Sequence, residues 1–181
     1  MADATYEKLR SKYKPKHIKW LLVTESPPPA GGSDKGTRHF YEDGRPENDR
    51  LFWNTMRAIY PEAHEVTEMV LARDKVKWLE RFAADGFYLI ESLEQSLPHG
   101  TKTSERHAAI KAGLPELVVK INKLAEPDTE IILIKSTTYK MAAETLKEAK
   151  INVVNQGLID YPGYWREQQF VAKLSALIKK N

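Results

Sequence analysis

Trp20-Leu21-Leu22-Val23-Thr24-Glu25-Ser26-Pro27-Pro28-Pro29-Ala30-Gly31-Gly32 joins an apolar run of strand length to a polar pair, three prolines and two glycines. A buried strand that stops so abruptly is how an α/β protein ends its first strand, and ligands of open parallel sheets collect just beyond such carboxyl ends. Glu25 and Ser26 stand there. Working outward, continuous apolar runs predict strands at 18–24, 87–91, 131–135 and 151–154. Between and around them, helical spacing predicts helices at 4–13, 47–59, 74–84, 139–149 and 165–180, and a long one from 104 or 105 to 124 that Pro115 kinks or splits. Strands separated by helices pair in parallel through right-handed crossovers. The expected architecture is a three-layer α/β/α sandwich on a central four-stranded parallel sheet. It forms one domain over 1–181, with a basic N-terminal helix within 1–15 packed on it.

The 181 residues suffice for one core without staples. The chain has no cysteine, which excludes disulfides, thiolate nucleophiles, iron–sulfur clusters and thiolate zinc sites and fits a reducing compartment. No apolar run approaches membrane-spanning length, and the N-terminus is charged rather than signal-like, so a soluble, cytoplasmic, monomeric protein is expected. The net charge is +3, but residues 1–20 carry six Lys/Arg against two acids and residues 161–181 four against one. Any basic surface is therefore built by the two ends.

Chemistry-bearing residues recur at strand ends: Glu25 and Ser26, then Glu91 and Ser92, then Lys135 and Ser136. The segment Leu158-Ile159-Asp160-Tyr161-Pro162-Gly163-Tyr164 follows the fourth run and precedes the last helix, so it faces the same crevice. The stretch 33–45 interleaves Lys35, Arg38 and Arg45 with His39, Phe40 and Tyr41, and loops of this length in compact domains are functional or disordered. No phosphate-cradling glycine motif and no G-x-S-x-G elbow is present. The five histidines are scattered without ligand spacing, so neither a metal nor another cofactor is expected.

The order of elements and two loop motifs resemble the uracil-DNA glycosylase superfamily over roughly residues 16–180. Thr24-Glu25-Ser26-Pro27-Pro28 falls on the strand-terminal motif of that superfamily, and Tyr161-Pro162-Gly163 on the motif, typically His-Pro-Ser, before its last helix. The chain departs from the pattern where Ser26 replaces the water-positioning Asp or Asn and Tyr161 replaces His; Glu91 falls near the base-reading Asn. The resemblance implies DNA as partner and a DNA-repair hydrolase that flips a damaged or deaminated base into a pocket and cleaves its N-glycosidic bond. It then assigns Glu25, Ser26 and Tyr161 to catalysis, with Glu25 orienting water and Tyr161 donating to the leaving base. Phe40, Tyr41 and Glu91 would hold the base, and Arg38, Lys135 and Arg166 would meet phosphates. Two alternatives stay open: a catalytically inactive nucleic-acid or nucleotide-binding relative, and an α/β enzyme acting on a small metabolite.

Overall fold

The computed structural model describes residues 4–28, 39–42, 49–163 and 165–179. Among them the chain forms α1 (Ala4–Lys12), β1 (Trp20–Thr24), α2 (Arg50–Ile59), a 3₁₀ turn (Pro61–His64), α3 (Glu68–Arg73), α4 (Lys75–Ala84) and β2 (Phe87–Glu91). There follow α5 (Thr103–Leu124), β3 (Glu130–Leu133), α6 (Ser136–Glu148) and α7 (Glu167–Ile178). The α/β class is as expected. The sheet order is β2-β1-β3, all parallel, with Leu22 of β1 opposite Leu89 on one side and Ile132 on the other. Every residue of β1 and β2 is buried, so side chains on both faces of the sheet are covered. Among the helices, α4 packs on β2 and α6 on β3, while α2 lies along α7 and α5 along α6.

The run expected as a fourth strand makes one parallel bridge, Ile131 to Val153, among the described residues. Two backbone bonds hold it, Ile131 N donating to Asn152 O at 2.9 Å and Val154 N to Ile131 O at 3.0 Å. Beyond them, the Asn155 side-chain amide takes over the edge of β3. Its Oδ1 accepts from Leu133 N at 3.0 Å and its Nδ2 donates to Leu133 O at 3.1 Å. A side chain that satisfies both backbone groups leaves nothing for a further strand residue to pair with. The ladder stops there.

Pro115 neither splits α5 nor ends it. Its missing N–H leaves the carbonyl of Lys111 without a helical donor, and both residues lie on the exposed face, where water serves instead. The last helix opens at Glu167 rather than 165, because Trp165 has φ +68° and stands 96% exposed outside it. The short helix α3 was not expected. Thr67 caps it, accepting from Val70 N at 3.4 Å. Among the described residues no helix is long and apolar enough to cross a membrane.

The outer edge of β2 is covered from outside the sheet. Tyr41 is fully buried, and its hydroxyl accepts the Leu89 N–H at 2.7 Å. Phe40 packs beside it between Phe52 of α2 and Phe82 of α4, at ring separations of 5.9 and 5.5 Å. Both rings belong to the core.

Candidate functional site

Three of the expected strand-end residues meet, directly or through the backbone, and two residues that sequence reasoning left out complete the group. The backbone of Glu25 continues the β1–β2 pairing: its carbonyl accepts from Leu93 N at 2.9 Å and from Ser92 Oγ at 2.6 Å. Its side chain then turns toward β3. Lys135 Nζ donates to Glu25 Oε1 at 2.7 Å, the Arg106 guanidinium donates to the same oxygen, and the Thr137 hydroxyl donates to Oε2.

Each partner is aimed by its own element. Lys135 sits between β3 and α6 at φ +80°, ψ +133°, a backbone conformation that side chains other than glycine rarely adopt. Its N–H donates to Ile159 O at 2.7 Å and its carbonyl accepts from Tyr139 N, so the strained residue is held at both ends. Arg106 lies in the first turn of α5, where Nε donates to Thr101 O at 3.0 Å and leaves the outer nitrogens free to reach Glu25. Thr137 belongs to the first turn of α6, the end of a helix that favours a negative charge.

Burial by itself would raise the Glu25 carboxyl pKa. The Lys135 and Thr137 hydrogen bonds, with the charges of Lys135 and Arg106, outweigh burial and hold it below the usual glutamate range. Glu25 is therefore ionised at neutral pH. Its side chain is 2% exposed, whereas those of Lys135 and Arg106 are 31% and 24% exposed. Solvent meets two cations resting on a hidden carboxylate.

Glu91 enters a second network. Arg10 NH1 donates to its Oε2 at 2.5 Å, and His39 Nε2 stands 2.9 Å from Oε1 without hydrogen-bond alignment. Arg10 also donates to Glu94 at 3.0 Å, and Lys120 bonds both Glu94 and the Glu91 carbonyl. The other residues read from the sequence are spread out. Ser26 is half-buried beside Glu25. Tyr161 is half-buried near Asp49 and Arg50; burial and the Asp49 charge push its hydroxyl up to about 12, which keeps it neutral. Arg166 is exposed and pairs with Asp160 at 3.3 Å. Phe40 and Tyr41, expected to stack on a base, are 3% and 0% exposed and offer no free face, because the core takes both rings. Arg38 lies outside the described residues.

Arg106 carried one sequence signal, its place at the start of a helix that follows a strand end. Thr137 carried none apart from following Lys135 and Ser136. Away from this group, His17, Glu126 and Asp128 bring three potential ligand atoms within 4.8 Å of one another, all exposed. The imidazole is already shared, Nδ1 facing Glu126 at 3.0 Å and Nε2 facing Asp128 at 3.1 Å.

No family model matches the chain, and no curated protein sequence matches it.

Proposed function

We propose that the protein binds a nucleic-acid strand at the carboxyl ends of β1 and β3, with Lys135 and Arg106 as its phosphate contacts and Glu25 as the carboxylate that fixes both. The observation that carries this reading is the layering of the site, two partly exposed cations over one buried carboxylate. The net charge of the group is positive, and a guanidinium beside an ammonium suits a phosphate that each can reach. Trp165, exposed on the loop before α7 and next to Arg166, adds an aromatic face of the kind on which unpaired bases stack.

The uracil-DNA glycosylase-like layout gives this binding a reaction. In that reading the fold is the three-layer sandwich, with 151–154 as the reduced fourth strand, and a base flipped toward the strand ends loses its N-glycosidic bond to water. Glu25 Oε1 already accepts two hydrogen bonds and Oε2 one, so Oε2 keeps one acceptor site for that water. A neutral Tyr161 would donate to the leaving base. The compensation of Glu25 by two cations favours a second reading, a relative that binds the strand without cutting it, since a carboxylate held below its usual pKa is a weak base.

Oligonucleotides carrying uracil, hypoxanthine, xanthine or alkylated bases separate these readings. Binding that weakens with salt and with Lys135→Met supports the site. Release of one base, lost in Glu25→Gln, adds the hydrolysis; binding without release selects the second reading; no binding at low salt contradicts both.

A further inference from the structure

A groove of about 800 Å³ runs between α1 and α5 over β2; Ser92, whose hydroxyl bonds the Glu25 carbonyl, lines it, whereas the Glu25, Lys135, Arg106 and Thr137 side chains do not. Its volume is that of a small-molecule site. Tyr88 and Ile90 of β2 form its floor, Leu117 and Leu124 of α5 one wall, and α1 the other. At one end Glu94 bridges two cations from opposite walls, Arg10 of α1 and Lys120 of α5. Arg10 is anchored independently on the buried Glu91, so it stays in place whatever Glu94 does. Glu94 itself lies on the segment after β2 and its side chain is 36% exposed, which leaves it free to move out. Lys14 and Lys123, also lining the groove, have no ion-pair partner among the described residues.

We propose that this groove binds a small amphipathic carboxylate, an unbranched acyl chain lying on the apolar floor with its carboxylate on Arg10 and Lys120 in place of Glu94. The bridging side chain shows the anion geometry that the two cations accept. Burial, with the neighbouring Arg10 charge, disfavours the charged form of Lys120 and lowers its pKa. An incoming anion relieves that repulsion as Glu94 does. The groove carries four cations, Arg10, Lys14, Lys120 and Lys123, against Glu7, Glu94 and Glu116, so its lining matches a single negative charge.

The test is calorimetric titration of the folded full chain with decanoate below its micellar concentration, with decanol as the neutral control and amide NMR shifts to locate the ligand. Decanoate is expected to bind about tenfold tighter than decanol, with shifts in α1 and α5. Glu94→Gln removes the internal competitor and is expected to tighten decanoate binding about fivefold, whereas Lys120→Met weakens it about tenfold. Ser11→Trp, on the exposed surface of α1 at the groove, blocks entry without touching the ion pairs. No decanoate binding, equal affinity for decanol, shifts confined to other elements, or weaker binding in Glu94→Gln each overturns the proposal. Since none of these readouts uses nucleic acid, the outcome is independent of the strand-end reading.

Discussion

Lys135 Nζ stands 2.7 Å from Glu25 Oε1, so the residue just past β3 and the residue just past β1, 110 positions apart in sequence, form one charged unit. The unit is asymmetric: the acid is buried and the base is not. That asymmetry makes Glu25 a structural anchor as well as a member of the site.

Glu25→Gln is expected to cost about 2 kcal/mol, less than removing one partner of a fully buried pair, because Lys135 and Arg106 regain water when their counter-charge is lost. Urea unfolding at pH 7 measures it. A change within 0.5 kcal/mol, the range of ordinary surface substitutions, would place the pair among the weak surface bridges.

Acid should unfold the protein through its ion-paired carboxylates. Burial alone would raise the pKa values of Glu25, Glu91 and Glu94, but their cationic and hydrogen-bonding partners lower them all. A group whose folded pKa is depressed stabilises the fold above its unfolded value and loses that contribution as pH falls through the folded one. Stability is expected to hold from neutrality down to about pH 4 and to drop below it, where an ordinary glutamate takes its proton. Glu25→Gln should flatten part of that drop, which urea midpoints between pH 3 and 7 would record.

His17 runs the other way. Hydrogen bonding to Glu126, with the charges of Asp128 and Glu126, raises its pKa although the ring is exposed. Its contribution to stability is complete below the ordinary histidine value and disappears as pH rises through the folded one. Titration of the His17 ring by NMR should give a midpoint above about 6.5, and the Asp128→Asn variant should bring it down.

Gly86 links α4 to β2 at φ +85°, and a Cβ there would lie 2.9 Å from Lys19 Cβ and 3.3 Å from Lys19 N. Its carbonyl also accepts the N–H groups of Lys19 and Trp20 at the start of β1. Gly86→Ala is therefore strained in its backbone and crowded by a neighbour that cannot retreat. A loss of about 2 kcal/mol or more is expected in urea unfolding.

Lys75 is 2% exposed and holds Asp49 at 2.6 Å and the Glu42 carbonyl at 2.7 Å over the ring of Phe52. Lys75→Met keeps the apolar volume but removes the buried cation that Asp49 and the Glu42 carbonyl hold, and is expected to cost about 3 kcal/mol at pH 7. Urea unfolding measures the loss, and a change within about 0.5 kcal/mol would contradict a structural role for the pair.

The three strands could be read from sequence because each is an unbroken apolar run bounded by polar or breaker residues, the pattern of strands buried on both faces. The fourth run looked the same. What stopped it was the amide of Asn155, a side-chain substitution for backbone pairing that composition does not reveal. Aromatic residues misled for a related reason: Phe40 and Tyr41 lie in a polar stretch of sequence, but their two rings turn inward against α2, α4 and β2. Glu25 and Lys135 could be placed because strand ends of a parallel sheet share one edge. Arg106 and Arg10 reach their carboxylates across 81 positions each, and no local spacing encodes such a pair.

The salt dependence of oligonucleotide binding reads the Lys135 and Arg106 phosphate contacts one by one. For a fluorescent single-stranded oligonucleotide, log Kobs falls linearly with log salt, and each phosphate contact contributes about 0.7 to the slope. Lys135→Met and Arg106→Met are each expected to weaken binding and to reduce the slope by about that amount, while Lys179→Met leaves it unchanged. Slopes equal to that of the unmodified protein in both site variants would contradict those contacts.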